Sequence, residues 1–299
     1  MEILNFDDEI RKNKLKSVLL IGAIIGIIIL IGAVLSLALD PERFFFILII
    51  SIIISITYTL ISYYSSASIA LFSVHAQLAS KTAHKQLYDS VENMSLASGL
   101  PMPKIYIMES EQINAFASGR NPKNAVICVT TGALKKLNKQ ELEGVIAHEM
   151  SHIANYDMRF MTLTAVLIGL IAIISEVFLR SLWFSSSDSD RKEGNAIFIV
   201  IGIILAILAP ILANLVSLAI SRKREFGADA TGVKFTRYPP GLSSALKKIK
   251  TESVSSKDLN HYSKAMAPLF ISDPFKKKLT TLFSTHPDID ERISRLNKM

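Results

Sequence analysis

Four long apolar blocks interrupt an otherwise polar chain, and their lengths set the first expectation. A bilayer core about 30 Å thick takes roughly 20 helical residues at about 1.5 Å each. Val18–Leu39 reaches that length without a charge and stops at Asp40-Pro41. Phe44–Tyr64 reaches it again and ends on two tyrosines suited to a membrane interface. Phe160–Leu179 is a weaker third block with Glu176 near its far end, and Asn195–Ile220 is a long fourth with Pro210 inside it. Core helices of soluble proteins are seldom apolar on every face for so long. The first, second and fourth blocks therefore predict membrane spans, and the third predicts a span or a shallow hairpin. The first is too long for the apolar region of a cleaved signal and has no small-x-small site before Asp40, so it predicts a retained anchor.

Between the blocks the pattern changes. INAFASG (113–119) and AVICVTT (125–131) alternate or run apolar over a few residues, as strands do. Ser73–Ala97 reads as a partly amphipathic helix ending near Gly99, with His75 and His84 as solvated or packing residues. Asn138-Lys139-Gln140-Glu141 has the side chains of a capping box and predicts a helix from about Lys139. The expected class is α+β, predominantly helical, with about four transmembrane helices. The chain divides into a segment 1–17, a hairpin 18–64 (spans 18–39 and 44–64), a polar part 65–159, a second hairpin 160–220 (spans 160–179 and 195–220) and a second polar part 221–299.

Half of the 299 residues are hydrophobic, and the formal net charge is +7. A basic surplus can mark nucleic-acid binding, but no aromatic-basic or zinc-finger pattern accompanies it, so no nucleic-acid partner is expected. The cations sit beside the apolar blocks instead. Arg11, Lys12, Lys14 and Lys16 precede the first, and Ser221-Arg222-Lys223-Arg224 follows the fourth. This bias places the N-terminus, both polar parts and the C-terminus on the cytoplasmic side of a multi-pass protein of the cell membrane. The single Cys128 excludes an internal disulfide and is expected to be a buried, inert thiol.

The chemistry concentrates where the first polar part ends. His148-Glu149-Met150-Ser151-His152 is an HExxH motif. Residues four apart share a helix face, so both imidazoles can reach one ion, with Glu149 beside them to accept a proton. A catalytic zinc needs a third protein ligand and one open position, yet IANYDMR after the motif offers no third histidine. After the fourth block comes SRKREFGADATG, in which Glu225 and Asp229 are four apart. An out-and-back hairpin over 160–220 would return Glu225 to the face of the membrane that carries His148. Glu225 is then either the third ligand or an ordinary acid beside Arg222 and Arg224.

HEMSH, then SRKREFGADA after a hydrophobic hairpin, then FSTHPDIDERISRL resemble the HtpX family of membrane zinc metalloproteases, relatives of the CAAX prenyl endopeptidases. LPMPKIYIM, INAFASG and AVICVTTGAL match in kind and order, so the resemblance covers nearly the whole chain. It implies a gluzincin site with one zinc ion per chain on His148, His152 and Glu225. Glu149 would be the general base and then the proton shuttle, and Asp229 would orient a ligand histidine. His286 would hydrogen-bond the developing oxyanion, and Arg292 would anchor acidic site residues. Asn114, Ala115, Phe116 and Ala117 would form the sheet edge on which an extended peptide is bound. The implied function is hydrolysis of misfolded or surplus membrane proteins, with polypeptides and the lipid bilayer as partners. The alternatives are a processing protease for a lipidated or prenylated peptide and, from another class, a non-catalytic scaffold or transporter that retains a metal site. Transporters tend to carry ionisable residues at mid-membrane, and Glu176, near the end of its block, is the only acid inside one.

Overall fold

The computed structural model describes residues 6–39, 42, 44–165, 222–252, 269–271 and 288–299. Most of the third apolar block, all of the fourth and His286 lie outside the described residues. The first two blocks form helices Phe6–Leu39 and Phe44–Tyr64. Both are long and apolar enough to cross a membrane, with windows at Asn13–Leu30 and Phe44–Tyr64. They pack on each other through small polar residues. Ser51, Ser55, Thr59 and Ser62 are buried, and Ser55 Oγ donates to the Ile25 carbonyl at 3.1 Å. Phe45, Ile49 and Ile53 point outward. Small groups inside and branched apolar groups outside invert the pattern of a soluble core and suit helices surrounded by lipid.

A short helix, Ser66–Ser73, follows the second long helix. The amphipathic helix expected over Ser73–Ala97 forms only from Lys85 to Ser98. His75 adopts φ 51° and breaks the helical path. Residues Gln77–Leu78 then form strand β1 opposite Ile107 and Tyr106, so their backbone groups are satisfied by a sheet that local periodicity could not reveal. The other strands are β2 (Lys104–Met108), β3 (Ala115–Ser118) and β4 (Val126–Thr130), in the order β1-β2-β4-β3. β4 is central, parallel to β2 and antiparallel to β3. All five of its residues are buried, as a doubly covered strand requires. Among them, burial pushes the Cys128 thiol pKa far up and keeps it protonated.

The helix Lys139–Ala154 is the hub of the polar part. Helices Lys85–Ser98, Arg222–Thr236 and Pro239–Thr251, together with β3, all pack against it. It starts where the capping box expects: Asn138 Oδ1 accepts from the Glu141 N–H at 2.9 Å, and Glu141 Oε2 accepts from the Asn138 N–H at 2.8 Å. Gly144 allows the closest approach, since a Cβ there would lie 2.5 Å from the Leu242 backbone nitrogen. Gly144→Ala must therefore push two packed helices apart. The expected loss is about 1–3 kcal/mol, read as a lower thermal midpoint of the detergent-solubilised protein. An unchanged midpoint would show that the helices separate without cost.

Candidate metal centre

Two helices meet at one buried point. The second half of helix Lys139–Ala154 supplies His148 and His152, and helix Arg222–Thr236 supplies Glu225; all three side chains are buried. One donor atom from each lies within 4.8 Å of the other two. The two imidazole Nε2 atoms are 3.2 Å apart. Glu225 Oε2 lies 3.6 Å from His148 Nε2, and Glu225 Oε1 lies 3.7 Å from His152 Nε2. The close meeting of the two helices depends on Gly232, where a Cβ would stand 3.1 Å from the His148 backbone nitrogen.

The outer edges of both imidazoles face carboxylates. His148 Nδ1 is 2.9 Å from Asp229 Oδ1, and His152 Nδ1 is 3.1 Å from Asp157 Oδ2. A carboxylate accepts, so each Nδ1 carries the hydrogen and each Nε2 turns its lone pair inward. Two lone pairs and a carboxylate converging in a buried space repel one another unless a cation lies between them. Ligands at about 2.0–2.1 Å around a tetrahedral ion stand about 3.3 Å from one another, and the inward nitrogens have that spacing. The donor set therefore fits a divalent metal. Electrostatics agree. Burial lowers the His148 pKa, but the facing Asp229 carboxylate and then that of Glu225 favour the protonated ring, outweigh burial and raise the value to about 9. The site favours a positive charge, and a proton and a metal ion compete for it.

Around this triad the charges are paired. Arg292, on the C-terminal helix Ile289–Leu296 and 1% exposed, grips Asp229 through two bonds, Nε to Oδ2 at 2.8 Å and a terminal nitrogen to Oδ1 at 2.7 Å. Its other terminal nitrogen is 3.5 Å from Glu225 Oε2. Burial alone would raise the Asp229 pKa; the Arg292 charge and the His148 hydrogen bond bring it below the usual value. Conversely, burial lowers the Arg292 pKa and Asp229 more than restores it. Glu149 is also buried, and its pKa is raised, first by burial and further by Glu225, against the opposing histidines.

β3 brings the sheet edge to this point. The Ala117 N–H donates to the Glu149 carboxylate, and the Ala115 carbonyl accepts from the Ile271 N–H at 3.0 Å. Phe116 turns to the other side and stacks edge-on to Phe270 with centroids 5.5 Å apart. Asn114 precedes the strand, its carbonyl accepting from the Thr130 N–H at 3.0 Å. The structure thus brings together His148, Glu149, His152, Glu225, Asp229, Arg292 and the edge strand; His286 lies outside the described residues. Asp157 was missed by the sequence reading. Its one signal was an acid placed just before an apolar block.

The sequence profile of peptidase family M48 matches residues 81–299. The chain belongs to peptidase family M48. Within that family it is similar to proteins called Protease HtpX homolog. That of Caldanaerobacter subterraneus is 47% identical over 248 residues, 82% of each chain. That of Dictyoglomus thermophilum is 39% identical over 299 residues, all of this chain and 96% of the relative. An M48 protein of the HtpX type is a membrane-associated metalloprotease that acts on polypeptides. Among solved structures, a crystal structure of S. mikatae Ste24p is similar over 97% of this chain and 66% of that one, at 19% identity and a TM-score of 0.49.

Proposed function

We propose that this M48 metalloprotease is a zinc endopeptidase of the gluzincin type, held by four membrane spans with its site at the cytoplasmic face, which cleaves misfolded or surplus membrane proteins. The observation that carries the reading is the convergence of three inward-facing acceptors beside a buried, proton-affine Glu149. His148, His152 and Glu225 hold the ion, and Asp229 and Asp157 hold the two imidazoles by their outer edges. When bound, zinc polarises the scissile carbonyl and makes water acidic enough to attack near neutral pH.

The remaining work falls to the chain. Glu149, whose raised pKa brings it nearer the operating pH, takes a proton from the attacking water and passes it to the leaving amine. The Ala117 N–H orients the Glu149 carboxylate. The outer edge of β3 pairs with the backbone of an extended substrate once Ile271 releases the Ala115 carbonyl, a mode that reads few side chains and suits broad specificity. His286 donates to the oxyanion. Arg292 keeps Asp229 ionised and in place, and its other terminal nitrogen lies beside Glu225. The packing of helix Arg222–Thr236 on helix Lys139–Ala154 supports a second hairpin that leaves and returns on one face, uniting parts 65–159 and 221–299. The flanking cations support a cytoplasmic location for that face.

Casein digestion in detergent tests the reading. Activity should vanish in chelator and return with added zinc. A folded Glu225→Ala protein should carry much less zinc after dialysis than the parent. Parent-like zinc content in that variant would remove Glu225 from the coordination sphere, and digestion indifferent to chelator would remove the metal from the reaction.

A further inference from the structure

A buried amide on the first membrane helix has no part in the reaction as described. Asn13 opens the apolar window Asn13–Leu30 of helix Phe6–Leu39 and is 3% exposed. Its nitrogen makes two hydrogen bonds, both to residues far along the chain. One goes to the Asn155 carbonyl at 3.0 Å, 142 positions away, and one to Asp157 Oδ1 at 2.7 Å, 144 positions away. A primary amide has two N–H groups, so these two bonds use its donor capacity in full. Asn155 is the residue that ends helix Lys139–Ala154. Asp157 is the acid whose other oxygen meets His152 Nδ1 at 3.1 Å.

The turn between these partners is set for the contact. Tyr156 adopts φ 59°, a left-handed conformation that reverses the chain within two residues and brings Asp157 back beneath His152. Asp157 is 1% exposed, and Arg224 Nε also donates to its Oδ1 at 3.0 Å. The terminal torsion of an aspartate is broad. Two donors on Oδ1 hold that torsion and leave Oδ2 directed at the imidazole. The neighbouring residue also docks here by other means: Lys14 Nζ lies 4.6 Å from the Tyr156 ring centroid, and its carbonyl accepts from Arg159 at 3.1 Å.

We propose that Asn13 is a positioning residue of the metal centre, acting through Asp157 on His152, so that metal affinity depends on this one amide of the first membrane helix. The proposal rests on the reading of His148, His152 and Glu225 as metal ligands. Partners of this kind typically change metal affinity by about 10–100-fold, and Asn13 stands one bond further out.

The test is zinc affinity of the full chain in detergent, measured by competition with a chromophoric chelator, alongside thermal midpoints in chelator. Asn13→Ala should bind zinc about tenfold more weakly. Asn13→Leu, which keeps the branched shape and suits an apolar helix, should do the same. Lys14→Ala, which loses only the contact with Tyr156, should stay within about twofold. Parent-like affinity in both Asn13 variants overturns the proposal. So does an equal loss in Lys14→Ala, which would assign the effect to helix docking. His152→Ala is included because parent-like binding there overturns the metal-centre reading itself, and the relay with it.

Discussion

Glu149→Gln should lower casein turnover by about 10²–10⁴-fold while leaving zinc content near one ion per chain. The amide keeps the shape and can still accept from the Ala117 N–H, but it cannot take a proton from water. Stability should move the other way. Burial raises the Glu149 pKa, so the folded state favours the protonated acid, and the carboxylate costs stability once pH passes its unfolded value. A neutral amide escapes that cost, so the thermal midpoint in chelator should be no lower than the parent's. Parent-like turnover with zinc retained would exclude Glu149 as the base. Low turnover with lost zinc would make the effect one of binding.

Arg292→Met should be the most destabilising of the substitutions considered, by about 3–5 kcal/mol. Its guanidinium is buried and paired with Asp229 by a two-bond fork, with Glu225 within 3.5 Å. Methionine approximates the length of the stem, so the lost packing is small. What remains is a carboxylate, Asp229, that is 2% exposed and has lost its cation. Arg292→Lys separates charge from geometry. Lysine restores the charge but not the planar fork, so it should recover part of the stability. The measurement is denaturant or thermal unfolding in detergent. A loss under about 1 kcal/mol for Arg292→Met would show that water or another cation compensates Asp229.

Much of the local structure was legible because it depends on neighbours a few residues apart. Asn138 and Glu141 announced the start of the HExxH helix, and four-residue spacing placed His148 and His152 on one face. The two uncharged blocks before Ser65 became long helices, since no other backbone arrangement satisfies its own polar groups within so apolar a stretch. The failures have the opposite cause. The helix expected over Ser73–Ala97 lost its first half to β1, which exists only because β2 lies alongside. Asp157 resembled one more boundary acid, and Asn13 one polar residue in a basic flank. Their roles come from partners outside the local sequence.

The division follows from the range of the forces. By itself the sequence determined where the HExxH helix starts, that the first two apolar blocks are helices long enough for a membrane, and which residue types can bind a divalent ion, because spacing and side-chain chemistry decide these. Only the tertiary structure decided that Glu225 meets the two histidines and that Arg292 closes on Asp229. It alone placed the Ala117 N–H beside Glu149 and seated the first membrane helix on the turn that holds His152. Those contacts join residues up to 144 positions apart. They form because burial makes an unpaired charge or polar group costly, and packing determines which partner is within reach.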